Sequence, residues 1–273
     1  MSASHLKLTL HFLNEEPEAA ARKLELLPAQ QAASVLQEAS LSAADNVLRK
    51  MLPSASAKLF PLFSPQQCFK LVEKMSLSDL AAIIRYMQNN EQNTLIKLLP
   101  LRKQTLCKML ISYPEYAVGS MVETDMLVVD NLMNVKDTMI RLRKKSFSYL
   151  QDIYVVNQGR QLAGQIFIGD LLKSEPTNLV STLLVPVKHT ISASFDLLSA
   201  YELDLWRNQD TVAVVNRKQE FVGIVHFHRL RHFMTRKELS NEPPHSLSAD
   251  MFETYGDTIV SMADLISPMQ HNR

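Results

Sequence analysis

An apolar pair returns every twelve residues between Val35 and Ile96, and few folds can carry such a period. The pairs are Val35-Leu36, Val47-Leu48, Leu59-Phe60, Leu71-Val72, Ile83-Ile84 and Leu95-Ile96. A second lane keeps the same step through Leu27, Ala39, Met51, Phe63, Met75, Met87, Leu99 and Ile111. Twelve residues are too few for the two-helix repeat of the usual solenoids. They hold one helix of about nine residues and a tight corner. A helix that short is not stable alone, so it must bury its apolar face on its neighbours. The period therefore predicts a right-angled superhelix of short helices.

The corners fit. Pro28, Pro53 and Pro65 fall there, and Ser64-Pro65-Gln66-Gln67 reads as a helix cap, a proline at the first helical position and a polar third residue. Ser40-Leu41-Ser42-Ala43 and Ser76-Leu77-Ser78-Asp79 open helices with a hydroxyl in the same slot. Pro61 lies inside the Leu59 to Phe63 stretch, lacks an amide donor and should kink that helix.

At 273 residues the chain has room for about two domains. Its 29 basic and 28 acidic residues nearly cancel, so no global field favours nucleic acid or an anionic membrane. Cys68 and Cys107 fall in predicted helices without metal-type spacing and read as reduced core residues of a cytoplasmic protein. No stretch approaches the ~18 to 20 consecutive apolar residues of a membrane span. Met1 to Leu13 carries His5, Lys7 and His11 and no cleavage signal, so a soluble chain is expected.

After Tyr113-Pro114-Glu115 the helical period gives way to short β runs. Leu127-Val128-Val129 and Ile153-Tyr154-Val155-Val156 are followed by the turn Asn157-Gln158-Gly159-Arg160, the run Leu162 to Ile168 and a short helix at Asp170-Leu171-Leu172-Lys173. The same order returns as Val212 to Val215, turn Asn216 to Gln219, Phe221 to Val225 and a helix at Arg229-Leu230-Arg231. Asn157 to Asn216, Gly164 to Gly223 and Leu171 to Leu230 are each 59 residues apart. A unit of about 60 residues is duplicated.

The duplicated hairpin, with its glycine seven residues after the turn asparagine and Asp170 six further on, resembles a tandem pair of CBS (cystathionine β-synthase type) domains. With the helical repeat in front and the junction Ser112-Tyr113-Pro114-Glu115…Gly119, residues 27 to 237 resemble the cytosolic part of MgtE-type magnesium transporters. Ser248-Ala249-Asp250-Met251-Phe252-Glu253…Gly256 is similar to the segment preceding the membrane domain there, and the chain ends at Arg273 without that domain. The resemblance implies a dimeric cytosolic sensor in which magnesium, held between acidic surfaces, locks a channel closed.

The fold class expected is α+β and multidomain. An α-helical superhelix of MgtE N type occupies 1–112, a tandem CBS pair of βαββα units 113–237 (113–178 and 179–237), and a linker with an amphipathic helix 238–273. Candidate magnesium ligands carried over from the family are Asp79, Asp250 and Glu253. Around Asp79 the opening Leu77-Ser78-Asp79-Leu80-Ala81-Ala82 has Ser78 and Ala82 where carboxylates are common in the family. Asn208, Arg229 and His232 stand where the family carries aspartates near the end of the second unit. From Pro28 to Ser112 five acids face ten bases, the reverse of what a multi-ion interface needs. Magnesium sensing is therefore expected to be weakened, with Arg229 as a fixed positive charge in the ion's place.

For an adenine nucleotide the resemblance supplies Asp170 as ribose partner, with Phe167 in the hydroxyl slot and Val155 on the hairpin. The second unit has His226-Phe227-His228-Arg229 there and lacks the pattern. Asp170 also reads simply as a helix-capping aspartate. Arg217, Lys218, His228, Arg229, Arg231 and His232 form a candidate anion or phosphate patch, and His228 with His232, one helical turn apart, offers two transition-metal ligands without a third. Aromatic residues are not interleaved with these bases, which speaks against nucleic acid. No catalytic constellation emerges: His189, Ser192, Ser194 and Asp196 are local, with Ser194 reading as the cap of a helix through Leu205. Trp206 is an anchor for the core or a dimer face.

The expected function is that of a non-enzymatic regulatory or sensor protein of magnesium homeostasis, a homodimer through its CBS pair. It would act on a separate membrane transporter or other protein partner through the helical stack or the amphipathic tail Asp250 to Ile266. A ligand-free interaction scaffold and an adenine-nucleotide energy sensor are the alternatives.

Overall fold

The computed structural model describes residues 3–144 and 152–241. They divide into two compact units, one holding residues 3–75 and 79–104, the other 76–78, 105–144 and 152–241.

The helical part contains α1 (Ala3–Glu15), α2 (Pro17–Glu25), α3 (Ala29–Glu38), α4 (Leu41–Lys50), α5 (Pro53–Leu59), α6 (Pro65–Lys74), α7 (Leu77–Ile84), α8 (Asn89–Lys97) and α9 (Leu101–Ser112). From α3 to α9 every start lies twelve residues after the last, as the apolar lanes require. All six pairs are buried, and so are Met51, Phe63, Met75, Met87 and Leu99 of the second lane, whereas Leu27, Ala39 and Ile111 are half-buried. Each fully buried aliphatic chain contributes roughly 1.5–3 kcal/mol. Helix α2 packs on α4, α4 on α6, and α3 on α5, so neighbours in the stack are two repeats apart.

At the starts of α4, α6 and α8 the preceding residue caps the helix. Ser40 Oγ accepts from the Ala43 amide, and Ser64 with Gln67 and Gln88 with Glu91 form reciprocal capping boxes. Pro53 and Pro65 occupy the first helical turn, but Pro28 sits one place earlier, in the cap position of α3, where its fixed φ of −54° suits the extended entry. Pro61 acts as expected: α5 ends at Leu59 and the chain tightens into a 3-10 turn, Phe60–Leu62. The Phe60 carbonyl accepts from the Phe63 amide and from the Cys68 thiol, which explains why that cysteine is buried there.

One charge interrupts an alanine lane. Ala33, Ala57 and Ala81 are buried at twelve-residue multiples from Asp45, itself 1% exposed. Asp45 Oδ2 takes Arg49 Nη2 at 3.0 Å, while the buried Oδ1 has no hydrogen-bond partner. Burial raises this carboxyl above its ordinary value, against the pull of Arg49 and Lys74. A raised folded-state value means that the group's contribution to stability is present at low pH and is lost as pH rises through that value. Asp45→Asn is therefore expected to raise the thermal midpoint at neutral pH and to change it little near pH ~4. Arg49 keeps its bond to Asn46 Oδ1 at 2.9 Å in that variant. Melting curves at the two pH values check this, and a lower neutral midpoint would show that the Arg49 pair outweighs the burial.

The β-containing part repeats one plan twice. Strands β1 (Val128–Asp130), β2 (Asp152–Val156) and β3 (Leu162–Phe167) form one sheet, and β4 (Thr190–Ser192), β5 (Thr211–Val215) and β6 (Phe221–His226) the other. In each, the first pair is parallel and the second antiparallel. The helices are α10 (Val135–Lys144), α11 (Ile168–Lys173), α12 (Leu197–Tyr201) and α13 (Phe227–Asn241). The hairpins repeat at 59 residues, Asp152 to Thr211, but the strands before them repeat at 62, Val128 to Thr190. The second copy is shorter by the difference because α12 stops at Tyr201 and is followed by a 3-10 turn, Asp204–Arg207. Asp196, not Ser194, caps α12, with Oδ2 accepting from the Ser199 amide; Ser194 instead donates its amide to Ser192 Oγ. Trp206 is a core anchor: it is 8% exposed, donates Nε1–H to the Ala200 carbonyl at 2.6 Å and stacks on Phe227.

The two copies exchange their entering segments. Glu123, ahead of β1, exchanges backbone hydrogen bonds with Ile224 of β6 at 2.8 and 3.0 Å, and Val185, ahead of β4, does the same with Gln165 of β3 at 2.8 and 2.9 Å. The repeated glycines exist for this exchange. A Cβ on Gly223 would lie 2.4 Å from the Glu123 carbonyl oxygen, and one on Gly164 2.8 Å from that of Val185. A shared core of Met126, Tyr154, Ala213, Phe221 and Ile224 joins the copies, with Tyr154 stacked on Phe221 at 5.0 Å.

Candidate functional site

Glu123 is a carboxylate held on several sides, and sequence reasoning missed it. Its backbone is pinned to β6, and Oε1 accepts from the amides of Thr124 and Asp125, both at 3.0 Å. That leaves Oε2 aimed at α13, where Arg229 Nη1 meets it at 3.2 Å. The same Nη1 donates to Ser78 Oγ at 2.7 Å, and Ser78 Oγ lies 3.4 Å from Oε2, closing a triangle. Ser76 Oγ is 3.1 Å from Ser78 Oγ. Ser78, Glu123 and Arg229 all fall in the second unit. Ser78 is 2% exposed, and the side chains of Arg229 and Glu123 are 22% and 16% exposed. A pair this sheltered is screened far less than a surface ion pair.

Magnesium does not fit these residues. The ion needs several hard oxygens in near-octahedral order, and here the carboxylate oxygen that could serve already accepts from a guanidinium. Of the candidate ligands, Asp79 opens α7 in the first unit, half-buried, and acts on Asp45. Asp250 and Glu253 lie outside the described residues, as does the tail from Asp250 to Ile266. Among the described residues no three of His, Cys, Asp and Glu gather as metal ligands.

The nucleotide candidates do not converge. Phe167 ends β3, 43% exposed, and Asp170 is exposed in the first turn of α11. Val155 points the other way, wholly buried in the core with Ile153, Ile166 and Leu171, its backbone committed to Val129 on one side and Gly164 on the other. Asp170 is not the cap of α11 either; Phe167 holds that position without a side-chain bond.

The basic strip also separates. Arg217 and Lys218 belong to the turn between β5 and β6, while His228, Arg229, Arg231 and His232 follow at the start of α13. The six residues of β6 intervene, on the order of 20 Å of strand. Within the second group Arg229 is already paired with Glu123.

Against known proteins, residues 15–116 match the family model of the MgtE intracellular N domain. The magnesium transporter MgtE of Bacillus subtilis (strain 168) is 26% identical over 157 residues, which are 56% of this chain and 32% of that protein. The chain thus spans about a third of the length of this curated relative. Among solved structures, the cytosolic domain of the Mg2+ channel MgtE in complex with ATP superposes with a TM-score of 0.68 at 22% identity, over 82% of this chain and 93% of that one. The soluble part of a magnesium transporter gives 0.57 at 16%, over 86% and 98%. At these identities the two structures establish the fold: a helical superhelix followed by a CBS pair. No helix among the described residues is long and apolar enough to cross a membrane. Residues 15–116 thus match the MgtE intracellular N domain, and the chain as a whole resembles the cytosolic region of the MgtE-type magnesium transporters.

Proposed function

We propose that this chain is a non-enzymatic, cytoplasmic regulatory module of magnesium transport in which a fixed guanidinium has taken over the work of a bound ion. The observation that carries the reading is the triangle of Arg229, Glu123 and Ser78, with a cation on the carboxylate at 3.2 Å and the serine at 2.7 Å. In a sensor that works by ion binding, the ion cross-links acidic groups and selects one conformation by differential affinity. An arginine in the same electrostatic role is always present, so the conformation it favours is held at every ion concentration. The response to magnesium is thereby weakened, and the output is fixed or handed to another signal. The module pairs with a second copy through its CBS domains and acts on a membrane transporter or another protein partner.

A thermal-shift panel on the full chain tests this. Magnesium at millimolar concentration is expected to move the midpoint no more than a monovalent salt of equal ionic strength. A saturable rise with magnesium alone would refute the fixed-charge reading. A saturable rise with AMP, ADP or ATP would instead transfer the sensing role to a nucleotide.

A further inference from the structure

Next to Arg229 stands a pair of rings that the ion-replacing triangle leaves unused. His226 closes β6 and His228 lies in the first turn of α13, and their ring centroids are 5.1 Å apart. His226 is 6% exposed, and its Nδ1 meets the Thr211 hydroxyl at 3.0 Å. The charged groups acting on the rings are Arg229 and Arg231 from α13 and Asp210 from the approach to β5. On the adjoining 3-10 turn, Asp204 is tied to Arg207 at 3.0 Å. Two bases against one acid, at the positive end of a 15-residue helix, oppose any further proton. Burial first, then His228 and Arg229, hold His226 down to about 4, and burial with Arg229 and Arg231 also lowers His228.

We propose that the His226–His228 pair is a proton-operated release for the Arg229–Glu123–Ser78 latch. This deepens the fixed-charge reading and rests on it. With both rings neutral, Thr211 donates to His226 Nδ1 and the first turn of α13 holds Arg229 on Glu123. A proton taken up at Nδ1 turns that nitrogen from acceptor to donor, so the Thr211 hydroxyl must rotate to accept. Imidazolium charge then stands beside Arg229 and Arg231, and the turn that carries Arg229 gives way. The sign follows from the lowered folded-state values. Stability is held above the ordinary histidine value and lost as pH falls from there toward about 4.

Amide hydrogen exchange across the start of α13, corrected for intrinsic rate, reads the release on the full chain. In the wild type, exchange should rise at least ~10-fold between pH ~7.5 and ~5.5, and in His226→Gln/His228→Asn less than ~3-fold. His228→Asn alone changes an exposed ring, so it folds even where the buried change does not, and it should remove part of the rise. Equal rises in the wild type and both variants would overturn the release. The latch itself is judged separately. If Arg229→Ala leaves α13 exchange unchanged at pH ~7.5, the fixed-charge reading fails whatever the acid response.

Discussion

Gly223→Ala is expected to destabilise the CBS pair by about 3 kcal/mol or more. The added Cβ would lie 2.4 Å from the Glu123 carbonyl oxygen and 2.5 Å from Val122 Cγ1. The first of these is backbone, locked by its own hydrogen bond to Ile224, so it cannot swing aside. Either the Glu123–Ile224 bridge breaks, or β6 shifts and takes α13 with it. Both routes also move Glu123 off Arg229, so the variant should lose the latch along with stability. Gly164→Ala repeats the experiment in the first copy, with its Cβ 2.8 Å from the Val185 carbonyl oxygen. Gly169→Ala is the control, because nothing lies within 4 Å of its Cβ. Urea unfolding of the three variants should rank them 223, 164, 169 in order of damage. A Gly223→Ala protein as stable as the control would mean that the two copies do not exchange their entering segments.

Arg229→Ala is expected to cost about 2 kcal/mol. The loss is less the attraction given up than the Glu123 carboxylate left behind, 16% exposed, with two amides on Oε1 and only the long contact from the Ser78 hydroxyl, at 3.4 Å, on Oε2. Full burial would make the penalty larger, and the residual exposure of both partners reduces it. Glu123→Gln removes that orphaned charge, so Arg229→Ala/Glu123→Gln should be more stable than Arg229→Ala alone. A double-mutant cycle from denaturation midpoints measures the coupling. A coupling of zero would reduce the pair to a surface contact of no consequence.

Much of this architecture could be read in advance, for reasons that particular residues make plain. The helical half was legible because each rung is local: a capping Ser40 or Ser64, a proline at Pro53 or Pro65 and an apolar pair recur within a dozen residues. The hairpins were legible for the same reason, since Asn157 and Asn216 each close a turn on a residue four further along. The site was not, because its tie is long-range: Glu123 and Arg229 are 106 residues apart and meet only through strand exchange between the copies. A signal was nevertheless present. At the 62-residue offset Glu123 stands where the other copy has Val185, and at the 59-residue offset Arg229 stands where it has Asp170. A charge in each of two unmatched positions, opposite in sign, is what a one-sided ion pair looks like in a duplicated sequence. Arg229 itself was recognised as a cation in an acid's place, but the carboxylate it serves was not. The basic strip failed in the opposite way. Its members are close in sequence, yet the extended β6 puts Arg217 and Lys218 at one end and the α13 group at the other.

The central claim, that a built-in guanidinium replaces a bound ion, is tested most directly by calorimetric titration of magnesium into the wild-type chain and into Arg229→Asp. The wild type should give only heats of dilution through the millimolar range. Arg229→Asp places a second carboxylate beside Glu123 and Ser78, and it should give a saturable isotherm. Saturable magnesium binding by the wild type, undiminished in the variant, would contradict the account.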